Sequence, residues 1–254
     1  MPDLPLGLRI LGLLFCFASA LNAQSVEQLV AQGDALDDKN RNTEALSLYL
    51  KADGLKPSDA EILRRISKQY AQLMLDAKGT SEKSDLAAKG LDAAQRAVAA
   101  DPNNSQAHLA LAIVYGRIAL GAPSRRKIEL SRLIQQEAQT ATRLDPRNDI
   151  AWYVLGRWNY EIANFNPFLK TLAQAIYGKL PDASMEKAAE CFKQAIAIQP
   201  GRAIHHLELG RTYLALGDAQ KARQELQAGL ALPSTDKDDD DNKQQARATL
   251  SRLK

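Results

Sequence analysis

One helical pattern occurs five times along this chain, and that self-similarity constrains the fold more than any other feature. The clearest copy reads HLELGRTYLALGDAQKARQELQAGLALP, in which Leu209 and Gly210 are followed by Tyr213, Ala222, Leu226 and Gly229. A small residue such as Gly210 lets two helices of a hairpin approach closely. Tyr213 and Leu226 fill the space between them, and Ala222 sits where the second helix crosses. Leu216-Gly217-Asp218 breaks the pattern with a glycine at one helix end and an aspartate placed to cap the next.

The same offsets recur upstream. Trp152, Leu155 and Gly156 open a fourth unit that Ala188, Phe192, Ala195 and Pro200 close. His108, Leu111, Ala112 and Tyr115 open the third, closed by Ala138, Ala141 and Pro146. Leu63, Ile66, Ser67 and Tyr70 open the second, closed by Ala94, Ala97 and Pro102. The first has Leu29, Gly33 and Leu36, then Ala45, Tyr49, Ala52 and Pro57. Each of these four prolines follows one helix and precedes the next, where its ring stops the first without obstructing the turn. The offsets resemble those of tetratricopeptide repeats. The expected fold is therefore all-α: a right-handed solenoid of about five helical hairpins over residues 24–254, with a C-terminal capping helix.

The spacing is uneven. Leu29 and Leu63 lie 34 residues apart, but Leu63 to His108 is 45, His108 to Trp152 is 44 and Trp152 to His206 is 54. Repeats two, three and four thus carry inserts between their two helices, all on one edge of a solenoid. In repeat two the addition, AKGTSEKSD, reads as a polar loop lengthening the second helix. In repeat three the second helix is expected to start near Pro123 or Ser124. In repeat four Phe165, Asn166 and Pro167 break the first helix. Phe168, Leu169, Leu172, Ile176 and Tyr177 then recur at helical spacing, which predicts an extra amphipathic helix on the solenoid edge.

Residues 1–23 read differently. Arg9 precedes an apolar run from Ile10 to Leu21, with small residues at Ala18, Ala20 and Ala23. That is a signal-peptide pattern and too short for a membrane span. Cleavage after Ala20 or Ala23 is expected, with export to a bacterial periplasm; uncleaved, the segment would be a membrane anchor. Cleavage removes Cys16 and leaves Cys191 alone on an apolar helix, so no intramolecular disulfide is expected.

The residue inventory argues against catalysis. The three histidines are His108, His205 and His206, and His108 and His206 occupy equivalent packing positions. No metalloprotease helix, phosphate loop or nucleophile elbow occurs. Asp236, Asp238 and Asp240 approach the spacing of a calcium loop, but Asp241 stands where glycine is needed and Arg247 where glutamate is needed. That acidic run reads instead as the start of a polar cap, with Ala246, Leu250 and Leu253 at helical spacing. A net charge of +3 does not imply a nucleic-acid or membrane surface, so any electrostatic site must be local.

First helices of a helical-hairpin solenoid line its inner face. The residues following each small position are Asp34, Lys68, Ile113, Arg157 and Arg211; one turn earlier lie Val30, Arg64, Leu109, Tyr153 and Leu207. The predicted site is a basic groove of Arg64, Lys68, Arg157 and Arg211 with Tyr153 and Tyr160 as aromatic walls. It suits a protein or peptide partner bearing carboxylates, and no cofactor, metal or nucleic acid. Arg125, Arg126 and Lys127 read as solvent-exposed. The alternative is a structural subunit that self-assembles or docks near a membrane through its edge inserts, with Phe165, Phe168, Leu172, Ile176 and Tyr177 as the contact. Oligomeric state is left open.

A narrower resemblance follows from the order of segments. Ala110, Ala112, Tyr115 and Gly116 lead to RRKIEL and LDPRND, then to LGRWNYEIANFNPFLKTLAQAIYGKLPDASMEKAAECFKQA, LELGRTYLALGDAQKA and LPSTDKDDDDNKQQA. Over Leu86 to Leu250 this resembles the regulator of microtubule dynamics family, and the aromatic insert is the specific marker. The resemblance implies the same fold and insert. A microtubule-binding function is implied only by analogy, since an exported bacterial protein would not meet microtubules.

Overall fold

The computed structural model describes residues 24–253 apart from 179–181 and 236, and the side chain of Tyr177 also lies outside the described residues. The proposed leader therefore falls outside them. The described residues form twelve α-helices, and the pairing follows the repeat pattern. The hairpins are α1 (Val26–Asp37) with α2 (Asn42–Leu55), α3 (Ala60–Asp76) with α4 (Thr80–Ala100), and α5 (Ser105–Gly121) with α6 (Ser124–Leu144). They continue with α7 (Asp149–Ala163) and α9 (Met185–Ile198), then α10 (Ala203–Ala215) and α11 (Ala219–Ala231). The insert forms α8 (Pro167–Tyr177), and α12 (Asp239–Arg252) packs on α10 and α11.

Local chemistry sets the boundaries. The residues before the four repeat prolines, Lys56, Asp101, Asp145 and Gln199, all sit at φ between −143° and −133° and end their helices. Proline Cδ disfavours the helical conformation in the residue before it, so each proline terminates its helix one position early. Side chains then start the next helix: Asp59, Asn104 and Asn148 accept from backbone N–H groups of the first turn. Asn148 also donates from Nδ2 to Ser105 Oγ at 3.0 Å, and Ser105 Oγ donates to the carbonyl of Ala141, tying consecutive repeats.

Close approach at the small positions is real. A Cβ added to Gly156 would lie 2.7 Å from the Phe192 ring, and one added to Gly210 would lie 2.7 Å from Leu226 Cγ. Phe192 and Leu226 are fully buried, so there is no void for the ring or the branch to enter.

The inserts lengthen helices more than loops. In repeat two the addition is helical from Thr80, leaving 77–79 as the connection, so most of the expected polar loop, Thr80 to Asp85, belongs to α4. In repeat three α6 begins at Ser124, as the spacing predicts. In repeat four Asn166 caps α8 by accepting from Leu169 N, with Pro167 in the first turn. This helix packs on α6, burying Ala173 and leaving Phe168 67% exposed. Phe165 packs against the cluster of Leu155, Trp158 and Ile162, so it anchors the insert and is not a free contact.

A second repeat-linked device comes from residues read simply as packing positions. Nε2 of His108 meets the carbonyl of Pro102 at 2.9 Å, Trp152 Nε1 donates to that of Pro146 at 3.0 Å, and Nε2 of His206 meets that of Pro200 at 3.2 Å. Each ring closes the turn that its proline opens. The other ring nitrogen of His108 meets Glu137, and that of His206 meets Glu225, on the second helix of the same hairpin.

The candidate interaction face

Helix α5 packs on α3, α7 touches α5 and α10 touches α7, so the first helices make one continuous inner side. The predicted cations sit on α3, α7 and α10, and each is already matched with a carboxylate. Arg64 pairs with Glu61 at 2.6 Å and Lys68 with Asp37 at 2.6 Å. Arg157 donates from Nη1 to Glu208 Oε1 and from Nη2 to Glu161 Oε1, both at 2.8 Å. Arg211 donates to the same Glu208 Oε1 at 2.7 Å and to Gln245 Oε1 of α12 at 2.9 Å.

Glu208 is the centre of this arrangement. It is 1% exposed and holds two guanidinium groups from consecutive repeats on one oxygen. Its other oxygen, Oε2, is buried and makes no hydrogen bond among the described residues. Next to it, burial first and then the Glu208 charge push the Tyr153 hydroxyl up to about 12. Tyr153 lies with its ring 6.1 Å from Phe192 and 5.7 Å from His205, so it forms part of the repeat core, and Tyr160 packs against the same cluster. Leu109 and Leu207, assigned to the inner face by periodicity, are buried between repeats: Leu109 with Ala141 and Ala151, Leu207 with Leu226 and Ala246. A helix seated between two neighbours buries more than half of its circumference, which narrows the exposed strip.

Several participants escaped the sequence reading. Arg65 donates to both oxygens of Asp34, at 2.7 and 3.1 Å, across the first two repeats. Burial alone would raise the Asp34 carboxyl, but hydrogen bonds from Arg65 and Tyr49 outweigh it and hold it below the usual range. His205 meets Asp149 at 2.9 Å, joining repeats four and five. Burial is again the largest influence on Asp149, and His205 with Arg202 overcomes it to lower that carboxyl. Arg117 of α5 stands 3.8 Å from Asp238. Among the carboxylate partners, Glu61, Glu161 and Glu208 carried a usable signal, since each lies three or four residues from an arginine on one helix.

Elsewhere, Cys191 is buried, and desolvation, then the neighbouring Glu190 charge, push its thiol up to about 11, which makes it a poor nucleophile. Arg125 and Arg126 both pair with Glu129 and Arg125 is exposed. Among the described residues no group of His, Cys, Asp or Glu is gathered to hold a metal, and no helix is long and apolar enough to cross a membrane.

Paired helices with small residues at the crossings, proline-terminated turns and a continuous inner side define a tetratricopeptide-like solenoid. The family model described as regulator of microtubule dynamics protein 1-3 matches residues 29–254, and the chain belongs to that family. Mouse regulator of microtubule dynamics protein 2 is 24% identical over 246 residues, covering 94% of this chain and 60% of the relative. Regulator of microtubule dynamics protein 3 of Xenopus laevis is 27% identical over 198 residues, covering 77% and 42%. The chain therefore spans about half the length of the curated relatives it matches. A crystal structure of a thermophilic tetratricopeptide protein from Thermus thermophilus superposes with a TM-score of 0.64 at 20% identity, covering 89% of this chain and 100% of that one. At that identity the likeness speaks for the fold.

Proposed function

We propose that this chain is a non-catalytic scaffold that binds a protein or peptide partner along its inner face, with Arg157 and Arg211 gripping a carboxylate and Arg64 and Lys68 extending the contact. Glu208 carries this reading: it fixes two guanidinium groups side by side, and each guanidinium presents five N–H donors in a rigid fork. The outer partners of these cations, Glu161 and Glu61, are half exposed, so a carboxylate-rich segment can replace them at little cost. The test is polarisation of a fluorescein-labelled glutamate-rich peptide. Binding to the wild type should disappear in Arg157→Gln/Arg211→Gln and weaken in Lys68→Glu, an exposed position. Unchanged binding in both sinks the reading.

The exposed Phe168 favours a second reading, in which Phe168, Leu172 and Ile176 on the edge insert mediate self-assembly. A monomeric mass for the purified chain from Gln24 onward would exclude it. The names of the curated relatives raise microtubule binding, which tubulin co-sedimentation would decide. Export is part of the same proposal: helix α1 begins with a capping box of Ser25 and Gln28, just after the expected cleavage site. An intact mass beginning at Met1 in the native host would refute cleavage.

A further inference from the structure

We propose that the segment joining α11 to α12 is an intramolecular strap that latches across the inner face and competes with an acidic partner for it, a proposal that rests on the reading of that face given above. Helix α11 ends in repeat five, yet Lys237 donates from Nζ to both carboxylate oxygens of Asp76, at 2.7 and 2.6 Å. Asp76 is the last residue of α3, in repeat two. The next residue, Asp238, faces Arg117 of α5, in repeat three. The segment thus spans from the last repeat to the second and third on the side where the first helices lie.

Its base is held by buried groups, and its tip by exposed ion pairs. At the base Lys243, 5% exposed, donates to the carbonyl of Leu232 at 2.5 Å and to Ser234 Oγ at 3.1 Å. Asp239 is buried and accepts from Thr235 N at 2.8 Å, and Asp240 accepts from Ser234 Oγ at 2.6 Å. The tip is held by solvent-facing pairs in which the carboxylates of Asp76 and Asp238 are 55% and 51% exposed. Exposed pairs of this kind are weak and salt-sensitive, and they persist here because the tether keeps the partners at high effective concentration.

The contacts copy those of an acidic ligand. Asp238 offers a carboxylate to Arg117, and Asn242 and Gln245 in the first half of α12 offer amide oxygens to Arg211. With the strap latched, Arg117 and Arg211 are engaged from within the chain. With it released, Arg117 joins Arg157 on the inner face, while Arg211 keeps its contacts to α12 and Glu208.

The latch is tested with Asp76→Asn, which frees Lys237, and with Asp76→Lys/Lys237→Asp, which restores the pair at wild-type net charge. Asp85→Asn on α4 is the charge control, being exposed and paired with Lys89 of its own helix. Amide exchange at 237–241 should quicken in Asp76→Asn and return in the swapped variant. The affinity for a fluorescein-labelled hexaglutamate peptide should rise about three- to fivefold in Asp76→Asn and revert in the swap, with Asp85→Asn near wild type. Unchanged exchange in Asp76→Asn overturns the latch. Faster exchange with measurable but unchanged affinity overturns the competition alone. Faster exchange with no peptide binding by any form overturns the acidic-partner reading and the competition with it.

Discussion

Arg157 Nη1 lies 2.8 Å from Glu208 Oε1, so the ion pair at the centre of the inner face is also a bond between repeats four and five. Glu208 is buried whereas Arg157 keeps a solvent-facing edge, which makes the carboxylate the member whose loss matters most. Glu208→Ala leaves two guanidinium groups facing each other without their shared acceptor. It should lower stability by about 2 kcal/mol, less than for a fully buried pair because both arginines can turn to water. The shift in urea midpoint measures it, with Arg157→Gln expected to cost less.

Gly156→Ala should destabilise the fourth hairpin by about 2 kcal/mol, because the new methyl group meets the Phe192 ring and a packed core does not yield cheaply. Gly156→Ala/Phe192→Leu should recover part of the loss. A thermal midpoint for Gly156→Ala equal to wild type would refute the close crossing.

The His206 imidazole is raised above 6.5, first by its bond to Glu225 and against its desolvation. A group whose folded value is raised stabilises fully below its unfolded value, and that stability is lost as pH rises through the folded value. The urea midpoint of wild type minus that of His206→Leu should therefore shrink as pH is taken from 6 to 8. An NMR titration midpoint for His206 at or below 6.5 contradicts this.

The insert helix should be separable from the solenoid. Asn166→Ala removes its N-cap and should cost about 1 kcal/mol locally, seen as faster amide exchange in α8 with little change in the global midpoint. Phe168→Ser should leave stability nearly unchanged, since its ring is already in water. If it also changes the mass in solution, the edge insert is an assembly surface.

The periodicity of Gly33, Gly156 and Gly210, the four prolines and the break at Phe165 to Pro167 made the hairpins, their order and the extra helix legible in the sequence. Those signals are local: propensity, capping and close crossing act within one or two turns, or at a fixed offset within one repeat. The cations Arg64, Lys68, Arg157 and Arg211 were legible as residues of the first helices, because the repeat offsets place them there. Their partners were only partly legible. Glu61 and Glu208 lie three residues from an arginine on the same helix, whereas Asp37 and Asn242 reach Lys68 and Arg211 from other elements. The acidic run at 238–241 was legible as a cap, yet Asp238 and Lys237 cross to repeats that precede them by more than a hundred residues. By itself the sequence determined the solenoid, since each repeat encodes its own helices and their crossing. Only the tertiary structure decided which charges neutralise one another on the inner face, because the curvature of the stack sets those distances and no residue pattern along the chain records it.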